Sequence, residues 1–262
     1  MILLLDVGNS FIKWAWLEPT WLKRQQKALP LLNNADECLH AGEELTSALD
    51  EAWSELPKPD HVWISNVAGE RIQIAIQAWI QAHWKCPVSV ASTESRSGKV
   101  INAYAQPSQM GVDRWLGLLA ANASGEGPRA VIDCGSAITV DAINATGQHL
   151  GGLILPGLKM MRDSLYSKAD GVAKTDTTEP IPGMLFANNT STAVDVGCHY
   201  SVVAFIERVI NDMNKEMGAE LICILTGGDA EEVLPLLSSK VEHNALLVLQ
   251  GLAIYANRNN LA

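Results

Sequence analysis

ILLLDVGNSFIKWAWL (residues 2–17) frames the N-terminal end of the chain. Ile2 to Leu5 is a short apolar run closed by Asp6 and Gly8, which reads as a buried strand running into a turn. FIKWAWL (11–17) alternates around Lys13 and is rich in β-formers, so it reads as the returning strand, with DVGNS (6–10) at the bend. The pattern comes back at AVIDCGSAITVDAI (130–143): a short apolar strand ending in Asp133, a Gly-containing turn and an alternating strand. The second Asp stands 127 residues after the first, near half of the 262-residue length, which points to two related halves. All eight tryptophans lie at or before Trp115. The expected division is therefore 1–118 and 119–262, with one continuous α/β domain as the alternative.

Around these turns, HVWISNV (61–67), CPVSVA (86–91), HLGGLIL (149–155) and LICIL (221–225) read as strands. Glu43–Glu55, Glu70–Trp84, residues 112–122, Pro156–Lys168, Ser191–Met217, a stretch from about Asp229, and Leu246–Asn257 read as helices. STESRSGK (92–99) reads as a loop, and Met160 and Met161 as core. The expected class is α/β.

Composition narrows the function. Hydrophobic residues are 48% and charged residues 18%, a globular balance that excludes disorder over the whole chain. Nineteen Lys and Arg against 29 Asp and Glu leave a net charge of −10, which argues against a nucleic-acid or membrane partner. Five widely spaced cysteines, Cys38, Cys86, Cys134, Cys198 and Cys223, with no CxxC, read as reduced thiols of a cytoplasmic protein. No apolar run is long enough to span a membrane, and MILLLDVGN lacks the length and basic flank of a signal peptide. GxxxxGK[ST], HExxH and GxSxG are absent. GEGPRA (125–130) precedes a strand and so does not fit a dinucleotide fingerprint.

The turns themselves suggest phosphate chemistry. A glycine in a tight bend lets backbone N–H groups approach an anion. Ser10 adds a hydroxyl, Lys13 a charge, and Asp6 a carboxylate suited to Mg²⁺, which takes oxygen ligands and keeps several waters. Asp133, Gly135 and Ser136 repeat that set. Either turn alone also fits a plain β-hairpin, and Asp113–Arg114 alone fits charge at a helix start.

DVGNSFIK (6–13), GVDRW (111–115), DCGSAITVD (133–141), GGLILPGL (151–158) and TGGDA (226–230) occur in that order. The ordered set resembles the type III pantothenate kinases, within the sugar kinase, Hsp70 and actin superfamily. Ser10 and Ser136 stand where that family usually has Thr, a swap that keeps the hydroxyl. The resemblance implies two ribonuclease-H-like (actin-like ATPase) domains with ATP in the cleft between them, and phosphorylation of pantothenate as the first step towards coenzyme A. It implies ATP or phosphate contacts by Asp6, Val7, Gly8, Asn9, Ser10, Phe11, Ile12, Lys13 and Ser136. It implies substrate contacts by Tyr104, Gly111, Val112, Asp113, Arg114 and Thr190, with Asp113 as catalytic base. It implies a monovalent cation, K⁺ or NH₄⁺, at Asp133, Mg²⁺ near Asp6, a nucleoside-side loop at 226–228, and a homodimer. Two other functions share the fold: a non-catalytic regulatory or transcriptional accessory protein, and a kinase for another small hydroxy compound.

Overall fold

The computed structural model describes residues 1–18, 20–21, 29–40, 45–169, 172 and 184–260. Its contacts divide the chain into two compact units. The first holds residues 1–126, 143–151 and 246–262; the second holds 127–142 and 152–245.

The first unit is built on β1 (Ile2–Val7), β2 (Phe11–Leu17), β3 (Asn33–Leu39), β4 (His61–Asn66) and β5 (Val88–Val90), in the order β3-β2-β1-β4-β5. β1 pairs antiparallel with β2, placing Asp6 opposite Lys13, and parallel with β4, placing Asp6 beside Ser65. Alternate β1 side chains serve two faces, so the strand needs an unbroken apolar run. Leu3, Leu5 and Val7 face helices α1 (Leu45–Trp53) and α2 (Glu70–His83), joining Leu49, Trp53, Ile76 and Trp79 in one cluster. Trp53 is fully buried and packs against Trp14, Trp79 and Trp84, with ring centroids 5.9, 5.4 and 5.6 Å away. Helices α3 (Val112–Ala123) and α7 (Leu247–Asn260) pack on each other, and α7 also packs on β1.

β3 has no counterpart in the expected elements. Six of its seven residues are exposed, so its hydrophobic pattern carries no signal; it exists as an edge strand because β2 offers it a ladder. Residues 92–99, expected as loop, contain β6 (Arg96–Ser97), which pairs with β7 (Val100–Ile101). The helix expected from Glu43 is described only from Leu45; Glu43 and Glu44 lie outside the described residues.

The second sheet is built on β8 (Arg129–Cys134), β9 (Ala137–Ile143), β10 (His149–Pro156), β11 (Ile222–Thr226) and β12 (Glu242–His243), in the order β10-β9-β8-β11-β12. Counted along the chain, that is the order of the first sheet. β8 pairs parallel with β11, and β11 with β12. Helices α4 (Leu158–Lys168), α5 (Thr190–Met217) and the short α6 (Ala230–Val233) complete the unit. The helix expected from Asp229 is cut to four residues and followed by a 3-10 turn that contains Pro235, which has no N–H to continue the ladder. The apolar positions spread around α5 are used within the unit: Val202, Ile206 and Ile210 are buried, and Val194, Val203, Phe205 and Val209 pack at the edge of the same cluster. Met161 joins that cluster, but Met160 is 51% exposed and is not a core residue. No helix among the described residues is long and apolar enough to cross a membrane.

Candidate active site

The first turn is held from its sides. Gly8 N–H donates to the Phe11 carbonyl at 3.0 Å, leaving Asn9 and Ser10 at the tip. The buried His40, just past β3, hydrogen bonds through Nε2 to the Gly8 carbonyl at 2.6 Å and through its backbone N–H to the Ser10 carbonyl at 3.1 Å. Register then sets a polar row across four strands: Glu37, Lys13, Asp6 and Ser65. Lys13 Nζ lies 3.4 Å from Glu37 Oε2, and Ser65 Oγ donates to Asp6 Oδ1 at 3.0 Å. The Lys13–Glu37 pair is partly solvated, so it holds Lys13 weakly and leaves it able to turn to a phosphate.

Five of the six acceptor-side residues expected from the sequence, Tyr104 and Gly111 to Arg114 with Val112 and Asp113 between, lie in the same unit; Thr190 lies in the second. A 3-10 turn, Pro107–Gln109, leads through Met110 to Gly111, the N-cap of α3. A Cβ at residue 111 would come within 2.4 Å of Asp113 Oδ1, so glycine there leaves room for the carboxylate. Asp113 sits in the first helical turn, half-buried; its Oδ1 accepts the Arg114 N–H at 2.8 Å. Arg114 is buried, and a buried guanidinium needs partners. Its Nη1 donates to Tyr104 Oη at 3.1 Å, and its Cζ lies 5.7 Å from the centre of the Tyr104 ring. The Tyr104 N–H in turn donates to Asn102 Oδ1 at 2.9 Å. Val112 and Trp115 point into the core.

The second turn is held by backbone. Gly135 N–H donates to the Ala137 carbonyl at 3.1 Å, Gly157 N–H to the Ser136 carbonyl at 3.1 Å, and Asp229 N–H to the Cys134 carbonyl at 2.8 Å. Gly227, in the TGG loop, has φ +99°; a Cβ there would sit 2.3 Å from the Cys134 carbonyl oxygen and 2.5 Å from Asp133 Oδ1. Only glycine allows that backbone conformation and that approach. Burial, with the charges of Asp133 and Asp229 adding to it, pushes the Cys134 thiol up to about 12. Asp133 is a carboxylate among backbone groups: the described residues contain no cluster of three or more His, Cys, Asp or Glu that would cage a metal ion.

Thr190 begins α5 and is exposed, with Asn189 capping the helix by accepting the Thr192 N–H at 2.9 Å. It lines an open groove of about 1150 Å³ between α4 and α5, together with Met160, Leu165 and Val194. On α4, Lys159 and Lys168 are exposed, while Arg162 turns to acidic partners. Arg162 pairs with Asp195 at 2.7 Å and Glu232 at 3.1 Å, and His199 Nε2 lies 2.6 Å from the same Glu232 oxygen. His40, Glu37 and Ser65 were not singled out from the sequence. They reach the first turn through sheet register and a long return of the chain, which spacing does not display.

Residues 2–212 match the family described as type III pantothenate kinase. A relative named type III pantothenate kinase, from Nitrosococcus oceani, is 40% identical over 258 residues, covering 97% of this chain and 92% of that protein. Among solved structures, a "conserved putative Baf family transcriptional activator" of Campylobacter jejuni superposes with a TM-score of 0.58 at 20% identity, covering 98% of this chain and 99% of that one. A "putative 2-dehydro-3-deoxygalactonokinase" of Sinorhizobium meliloti gives 0.57 at 12% identity, covering 100% and 99%. At such identities the two structures speak for the fold.

Proposed function

The chain belongs to the type III pantothenate kinase family, and on that premise we propose how its residues carry the γ-phosphoryl of ATP to the primary hydroxyl of pantothenate, the entry step to coenzyme A. The observation that carries the reading is Asp113 at the start of α3, flanked by a buried Arg114 that is held to Tyr104. Asp113 accepts the hydroxyl proton as the oxygen attacks the γ-phosphorus; ADP leaves, and the proton passes from Asp113 to solvent. Arg114 and Tyr104 take the pantothenate carboxylate, since a fixed guanidinium suits a planar anion. Gly111 and Val112 complete the acceptor contacts of the first unit. The backbone at the tip of the first turn, Asn9 and Ser10, with the Ser10 hydroxyl and Lys13, takes phosphate oxygens, and Ser136 offers the matching hydroxyl on the second turn.

The donor sets also fit the two ions. Asp6, one carboxylate between Lys13 and Ser65, would hold Mg²⁺ through water, and Asp133, one carboxylate beside backbone carbonyls, would hold K⁺ or NH₄⁺. Bound there, the cations supply neutralisation of phosphate charge. A homodimer has support from the groove between α4 and α5, where Met160 and Leu165 are exposed.

The test is one assay. ADP release should depend on pantothenate and yield a product heavier by one phosphoryl group. Asp113→Asn should keep ATP binding and lose about 10²–10⁴-fold in turnover. Pantothenate-independent ADP release, or wild-type turnover in the variant, would overturn the reading.

A further inference from the structure

The turn that joins β9 to β10 belongs to the first unit, and it lies against the segment that leads to Tyr104. Asn144 makes that turn rigid: its Oδ1 accepts the Thr146 N–H at 3.0 Å, the Thr146 hydroxyl at 2.7 Å and the Gln148 N–H at 2.9 Å. Three successive residues then grip the 101–103 backbone. Ile101 N–H donates to the Gly147 carbonyl at 3.0 Å, Gln148 Nε2 to the Ile101 carbonyl at 3.4 Å, and Ala103 N–H to His149 Nδ1 at 3.3 Å.

His149 does two things at once. It is 1% exposed, and its Nδ1 is an acceptor, so the ring is the tautomer that carries its proton on Nε2. Its plane lies 10° from that of Tyr104, with centroids 6.1 Å apart. The imidazole therefore fixes the backbone just before Tyr104 and the ring of Tyr104 together. Tyr104 passes that constraint on, because its Oη accepts from Arg114 Nη1 and its ring lies beside the guanidinium.

We infer that His149 is a positioning residue for the acceptor site: it pre-sets Tyr104, and through it Arg114, for the carboxylate of pantothenate. The inference rests on the reading of Tyr104 and Arg114 as pantothenate contacts. Without His149, the half-exposed Tyr104 regains rotamers and Arg114 loses a fixed partner, so binding must order both. Asp113 is set by the first turn of α3 and by the Arg114 N–H.

The experiment is steady-state kinetics on His149→Ala, His149→Phe and His149→Asn. Ordering one or two side chains corresponds to a rise in the pantothenate KM of about fivefold to tenfold for His149→Ala, with kcat and the ATP KM near wild type. His149→Phe keeps the stacked ring, and His149→Asn keeps an acceptor near Nδ1; each should recover part of the loss. In a Tyr104→Ala background, His149→Ala should add nothing, since the two act in one chain. If His149→Ala fails to fold, the Phe variant, which fills the same space, carries the same comparison. An unchanged pantothenate KM, a fall in kcat with both KM values fixed, or full additivity with Tyr104→Ala would each overturn the inference. A wild-type protein that does not consume pantothenate would overturn the proposed function instead, before any variant is measured.

Discussion

The turn at 6–13 and the turn at 133–139 rest on matching strands. β1 and β8 show the same run of buried residues with one half-buried Asp, and β2 and β9 match at all but their first positions. The loops then diverge. Gly8 pairs with Phe11 across two residues, whereas Gly135 pairs with Ala137 across one. The shorter loop slides the returning strand by one position, so Thr139 stands where the first turn has Lys13. The supports differ as well. Side chains brace the first turn, namely His40, Glu37 and Ser65, while backbone N–H groups from Gly157 and Asp229 close on the second. One strand frame thus carries a turn with a movable cation and a turn with almost no freedom. Under the proposed function, the second arrangement would serve a cation site whose oxygens stay in place, and the first would serve phosphates that arrive and leave.

The largest expected effect probes that rigidity. Gly227→Ala combines a left-handed φ with a Cβ against the Cys134 carbonyl, and strain plus overpacking should cost about 2–5 kcal/mol. Gly8→Ala meets only the Phe11 carbonyl oxygen at 3.4 Å, with φ outside the left-handed region, and should cost less than about 1 kcal/mol. Denaturant unfolding followed by circular dichroism measures both. Tryptophan fluorescence adds resolution, because all eight tryptophans lie in the first unit, so Gly227→Ala should move the fluorescence transition less than the dichroism transition. Equal costs for the two glycines would break the comparison.

Lys13→Met tests the other side. Its surface pair with Glu37 is worth about 0–1 kcal/mol, so the fold should hardly notice. The contact with phosphate proposed for it would be charge-assisted, worth about 1.5–3 kcal/mol, so kcat/KM for ATP should fall by roughly 10- to 100-fold. A large loss of stability with little loss of ATP use would mean that the first turn is as structural as the second.

Strand frames were legible because β1, β4, β8 and β11 are buried runs that need little tertiary context. The ordered motifs carried the candidate site, since Asp6, Lys13, Asp113 and Asp133 lie close to turns and helix starts. What escaped depends on long returns of the chain. Glu37 sits on a strand whose exposed residues carry no apolar period, and His149 is 46 residues from the Ala103 N–H it accepts. Arg114 reads as a substrate contact from the motif and as charge at a helix start when taken alone; neither reading displays its burial or its Nη1 contact with Tyr104 Oη. Met160 reads as core from its type and faces the groove instead.

The smallest expected effect sits one residue beyond Asp133. Cys134 occupies the position that Val7 holds in the first turn, and both are fully buried. Only the second turn therefore hides a titratable group there. The thiol is raised from its usual 9.0 to about 12 by burial first, then by Asp133 and Asp229. A group whose folded pKa lies above its unfolded value contributes stability in full below the unfolded value, and loses it as pH rises through the folded one. The loss should begin near pH 9 and continue towards about 12, at no more than ~1.4 kcal/mol per pH unit. Cys134→Val installs the residue of the first turn and removes the titration. Between pH 8 and 10 the variant should gain about 1 kcal/mol on the wild type in denaturant unfolding, while the contribution of the other four thiols cancels in the difference. A stability difference that stays constant over that range would mean that the second turn opens to let the thiolate reach water, and that its backbone closure is looser than the contacts of Gly157 and Asp229 imply.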